Sequence, residues 1–121
     1  MCNKEQKYMP ILPRDYFIIK RIGDLGITRN YTGFYYIVEI MDYLINQEMV
    51  IKSFSREIYP SLAEKYGKKS CTVERDIRNV IDKLWEGTLK EKLVSYWDKD
   101  RKPTCHDFIH ILRKYLLMLF A

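Results

Sequence analysis

The stretch from Tyr59 to Gly87 limits what this chain can fold into more than any other part of it. Tyr59-Pro60 opens a short segment with proline in the first turn of a helix, where its missing N–H costs nothing. Gly67 closes that segment. After Lys68 and Lys69 a longer helix is expected from Ser70 or Cys71 toward Gly87, covering about residues 71–86. Within it Val73, Ile77, Val80, Ile81 and Leu84 advance by four, three, one and three, so they share one apolar face. Two helices joined by a tight glycine-bearing turn make the helix-turn-helix pattern.

The remaining chain also reads as helix. A first helix is expected over about 14–25, with Phe17, Ile18, Ile22 and Leu25 on one side and Gly26 stopping it where a positive φ is commonly required. A second covers about 32–47. There Phe34, Ile37, Met41, Leu44 and Ile45 repeat at helical spacing, while Tyr36, Ile40 and Tyr43 fill much of the opposite face. A helix apolar on nearly all sides belongs at the centre of its domain. Residues 50–58 read as a short helix or turn, and a small helix follows at about 88–96. The last helix starts at Thr104, with Asp107 completing an approximate capping box and Phe108, Ile111, Leu112, Tyr115 and Leu119 at core spacing. No segment alternates with period two for long enough to make a strand. The expected fold is all-α, a compact bundle spanning 14–121, preceded by a polar, proline-punctuated lead-in over 1–13 that reads as flexible.

A chain of 121 residues, 47% hydrophobic and 31% charged, fits a single globular domain. The net charge of +5 favours a polyanionic partner, though only modestly. Cys2, Cys71 and Cys105 are far apart and form no Cys-x-x-Cys pair, so neither a zinc knuckle nor a disulfide framework is expected. The start lacks the apolar core of a signal peptide, and charged residues interrupt every apolar run. The expectation is a cytoplasmic protein with no membrane partner.

On the face opposite Val73 and Ile77 the long helix carries Arg75, Arg78, Asn79 and Asp82, with Thr72 near its start. A helix held by its apolar side can push the other side into the major groove of DNA. Arg suits bidentate contact with guanine and Asn with adenine. Lys65, Lys68, Lys69 and Lys83 surround the motif and are candidates for phosphate contacts, which position a helix without reading sequence. The same spacing also describes an ordinary amphipathic surface helix, and Glu74, Asp76 and Asp82 dilute the positive field. His106 and His110 share a face, but a metal site needs further ligands, and none is expected. No cofactor, no small-molecule substrate and no catalytic constellation stand out, so no enzyme is expected.

Particular residues break the tie. Tyr59-Pro-Ser-Leu-Ala-Glu-Lys-Tyr66, then Val73-Glu-Arg-Asp-Ile-Arg-Asn-Val-Ile81 and Trp85, closely resemble the C-terminal DNA-binding effector domain of the sporulation master response regulator. Gly26-Ile27, Gly33-Phe-Tyr-Tyr36 and Lys102-Pro-Thr104 with Asp107-Phe-Ile109 match in the same register, so the resemblance covers about residues 15–118. It implies about six helices with the fourth in the major groove. It also implies binding to short double-stranded DNA boxes, often in tandem, and activation or repression of transcription. A second copy on DNA and RNA polymerase would be the protein partners. By position, Glu74, Arg75 and Arg78 match the family's recognition-helix residues, Thr72 and Asn79 complete the base-reading set, and Lys69 and Ser70 lie in the turn near the DNA backbone.

The chain also departs from the pattern. Cys71-Thr72 stands where the family usually has Ser-Arg, Asp76 where Ala is usual, and Asn79 where His is common. Thirteen residues ahead of the domain cannot hold a phosphoacceptor receiver. An alternative expectation is therefore a receiver-less interaction module that pairs with or antagonises a full-length regulator without useful DNA binding of its own.

Overall fold

The computed structural model describes residues 13–46 and 54–120. The lead-in, apart from Pro13, and the first part of the 50–58 segment lie outside the described residues. The fold is all-α. Its helices are α1 (Pro13–Asp24), α2 (Phe34–Met41), α3 (Tyr59–Tyr66), α4 (Ser70–Leu84), α5 (Lys90–Leu93) and α6 (Cys105–Phe120). Wider π turns at Asp42–Asn46, Phe54–Ile58 and Trp85–Leu89 extend α2, lead into α3 and follow α4. No helix among the described residues is long and apolar enough to cross a membrane.

Two glycines end helices as the sequence anticipates. Gly26 has φ 92° and Gly67 φ 67°, both in the left-handed region that side chains avoid. At each, the backbone satisfies carbonyls the helix leaves open: Ile27 N–H reaches Ile22 O at 3.3 Å, and Lys68 N–H reaches Ala63 O at 2.8 Å. The turn between α3 and α4 is thereby closed by main-chain bonds and does not depend on side chains.

α2 is central, as its all-round apolarity suggests. Phe34, Tyr36, Ile37, Val38, Glu39, Ile40 and Met41 are all buried. α2 packs on α1, α4 and α6, while α4 also packs on α3 and α6. Ile18, Ile22, Ile37, Leu62, Val73, Ile77, Phe108 and Leu112 form the centre with 0% exposure. Each such side chain contributes about 1.5–3 kcal/mol on leaving water. The start of α2 lies directly against α4: a Cβ on Gly33 would come within 2.8 Å of the Asp76 carbonyl oxygen. Glycine at 33 is what lets the two backbones touch.

The charge inside this core is answered. Glu39 is 3% exposed. Its carboxylate accepts hydrogen bonds from Lys65 Nζ at 2.6 Å, Tyr66 OH at 2.6 Å and Tyr43 OH at 3.1 Å. Tyr36 and Tyr66 meet edge to face 5.2 Å apart beside it. Burial, then the charge and hydrogen bond of Glu39, push the Tyr43 phenol up to about 12. This cluster ties α2 to α3, the first helix of the helix-turn-helix.

The long helix ends earlier than the sequence suggests. α4 stops at Leu84, and Gly87 has φ −120° and ψ −125°, outside helical geometry. The apolar pattern runs on because the π turn still buries Trp85 and Leu89. The small helix expected at 88–96 is shorter, four residues of α followed by a 3-10 turn at Val94–Tyr96. The last helix begins at Cys105, with Thr104 as its cap: Asp107 N–H donates to Thr104 Oγ1 at 3.2 Å, and Thr104 N–H donates to Asp107 Oδ2 at 3.4 Å. Burial works against the Asp107 carboxylate, yet these Thr104 bonds and Arg101 at 3.4 Å together hold it below the ordinary aspartate value.

Candidate nucleic-acid interface

α4 is gripped along one side and open along the other. Val73, Ile77, Val80 and Ile81 are buried, and Leu84 is half-buried. At about 3.6 residues per turn the outward crest then carries Cys71, Arg75, Arg78 and Asp82, all exposed. Asp76, Asn79 and Lys83 fall on the flank that faces the loop between α1 and α2, and Thr72 is on the same side of the helix by spacing. Glu74 falls on the opposite flank, where its carbonyl accepts the Cys105 thiol at 3.5 Å. Burial, then the charge of Glu74, push that thiol up to about 11, so Cys105 is a neutral packing residue.

Of the residues expected to meet bases, Arg75, Arg78 and Asn79 are exposed, and Thr72 and Glu74 are half-buried. Arg75 keeps 58% of its side chain exposed while its guanidinium lies 3.6 Å from Asp76, itself 13% exposed. Asp82, whose charge would oppose DNA from the crest, is held by Lys102 at 2.7 Å.

The residues expected at phosphates divide. Lys68, Lys69 and Lys83 are exposed and Ser70 half-buried. Lys69 precedes the first turn of α4 in extended geometry, and no side chain caps that end. Thr72 and Val73 N–H donate to Lys69 O at 3.0 and 3.2 Å, so within the first turn only the Ser70 and Cys71 amides are without a backbone acceptor. Lys65 is different. Its ammonium is drawn to Glu39, because a buried carboxylate in a low-dielectric setting attracts the nearest cation strongly. Its side chain is exposed along the stem, while its ammonium is already paired with the buried Glu39.

Sequence reasoning missed the neighbourhood of the 28–32 loop. Thr28, Arg29, Asn30 and Thr32 are exposed beside α4, and they share hollows with Asp76, Asn79, Lys68 and Lys83. Nothing periodic marks a loop as adjacent to a helix some fifty residues on. The one available signal was a polar, cation-bearing run enclosed by Gly26 and Gly33. Among the described residues no three His, Cys, Asp or Glu side chains gather as a metal would require. His106 and His110 lie with ring centres 4.5 Å apart and planes tilted by 59°.

The arrangement offers hydrogen-bond donors on a convex helical ridge with cations at both ends. It suits an extended anionic surface better than a small molecule. Comparison with known families agrees with this. The profile described as "Sporulation initiation factor Spo0A C terminal" matches residues 18–116, nearly the whole chain. That family is one of DNA-binding effector domains, not of enzymes.

Proposed function

This chain belongs to the Spo0A C-terminal family, and from that premise we propose that it is a sequence-specific regulator of transcription that sets α4 into the major groove of double-stranded DNA. The observation that carries this reading is the exposed pair Arg75 and Arg78, with Asn79 beside them, on a helix whose reverse side is fully buried. Such a ridge is rigid and its donors point outward, as base-edge recognition requires. Arg75 and Arg78 read base edges. Thr72, Glu74 and Asn79 adjust the preference from the flanks. Lys68, Lys69, Ser70 and Lys83 hold phosphates. A second copy on a neighbouring box and RNA polymerase are the protein partners this role calls for.

The test is selection of bound sequences from random duplex DNA at near-physiological salt, with the parent and with Arg75→Ala. The parent should enrich one motif. The variant should lose about 1–3 kcal/mol and relax preference at one base. Equal binding by the variant would remove Arg75 from the reading set, and no enriched motif would remove the proposal.

A second reading has some support. The Arg75–Asp76 pair draws on the charge of the ridge, and Leu117, Met118 and Leu119 on α6 are 41–63% exposed. These features suit an interaction module that engages another regulator instead of DNA. Binding that persists unchanged at high salt would favour it.

A further inference from the structure

The loop between α1 and α2 borders two hollows along one flank of α4. One, of about 430 Å³, opens toward Asn79 and Lys83, and the other, of about 240 Å³, toward Lys68. Asn30, Tyr31 and Thr32 wall both, so the loop stands between them. Arg29 lines the second hollow. Its guanidinium is 5.5 Å from the centre of the Phe34 ring, a contact that orients it without a carboxylate. Among the described residues Arg29, Lys68 and Lys83 enter no ion pair. The one acid here is Asp76, 13% exposed and turned to Arg75.

We propose that Arg29 and Asn30 form a second DNA-backbone site, holding phosphodiester groups of the strand that runs beside α4. This rests on the reading of α4 as the groove-inserted helix. A helix in the major groove has a sugar–phosphate strand along its flank. The flank of Asp76, Asn79 and Lys83 faces this loop, so the strand on that side passes Lys68 at one end and Lys83 at the other, with Arg29 and Asn30 between them. Guanidinium and amide donors there meet phosphate oxygens and carry no base information. The loop would therefore set the position of the domain on the duplex, while α4 sets the sequence. Asp76, lying in both hollows, weakens the site without closing it.

The experiment titrates the whole chain against two duplexes, one bearing the selected motif and one scrambled, across a range of salt. Arg29→Ala should weaken binding to both duplexes several-fold and by the same factor, and should lower the salt slope by about one. Arg29→Lys should restore the slope. Because Arg29 also touches Phe34, Asn30→Asp provides a check at an exposed position: it should weaken both duplexes equally with unchanged thermal unfolding. Parent-like affinity and slope in Arg29→Ala and Asn30→Asp, with the parent binding its motif, would overturn this site and leave the role of α4 intact. A change in the ratio between duplexes would also overturn it, since the loop would then be reading bases. A parent that binds neither duplex would overturn the reading of α4 itself, and this site with it.

Discussion

Glu39 sits where a carboxylate is least welcome, and it is kept there by three donors from two helices. Lys65 supplies the countercharge, so Lys65→Met, which keeps the stem and removes the ammonium, strands a buried charge. The expected loss is on the order of 3 kcal/mol in denaturant unfolding. The salt slope of DNA binding should stay that of the parent, because this ammonium is already paired with Glu39. A second prediction concerns His110. Partial burial, then the nearby cations His106, Arg113 and Lys114, hold its imidazole below the ordinary value of 6.5, against the pull of Asp107. The folded chain thus takes up the proton less readily than the unfolded one. Stability present above about pH 6.5 is lost as pH falls through that value toward the depressed one. Melting should be lower at pH 5 than at pH 7, and His110→Gln should narrow the gap; an unchanged gap would remove His110 as its source. At this scale the exposure of Arg75, Arg78 and Asn79 was legible, because the open face of a helix follows from spacing. The sequence offered Lys65 as a phosphate contact and was silent on its pairing with Glu39, a partner 26 residues away that becomes a neighbour only through the packing of α3 on α2.

Helix ends show the same division between local and tertiary control. Gly26 and Gly67 were legible because one residue type fits the required backbone. Gly67→Ala meets no atom within 4 Å, so its cost is that of the left-handed conformation alone, about 1–2 kcal/mol. Thermal unfolding should show that loss. If Ala is neutral there, the turn has another conformation open to it. The end of α4 was not legible, because Trp85 and Leu89 continue the apolar pattern through a turn of wider pitch. Periodicity records which side is buried and not which hydrogen-bond ring closes, so the helix was drawn past Leu84. The cap of α6 was read correctly from Thr104 and Asp107, whose two bonds lie within one turn.

For the molecule as a whole, the all-α class and the central place of α2 were visible in the sequence, and the family match over residues 18–116 agrees with the resemblance. The placing of the 28–32 loop beside α4 was not visible, since it arises only from packing. If Arg29, Lys68, Lys69 and Lys83 each neutralise a phosphate, about four counterions are released on binding. Affinity should then fall roughly a hundredfold between 50 and 200 mM salt. A flat response would assign the domain to protein contacts instead. The contact at Gly33 has a bearing on all of this. With no side chain between them, the start of α2 and the middle of α4 meet backbone to backbone. How far the ridge stands out from the body is set by an absent methyl group. If α4 enters the groove as proposed, its reach is a fixed dimension of the fold, while the preference for one sequence over another is left to side chains that can change without altering it.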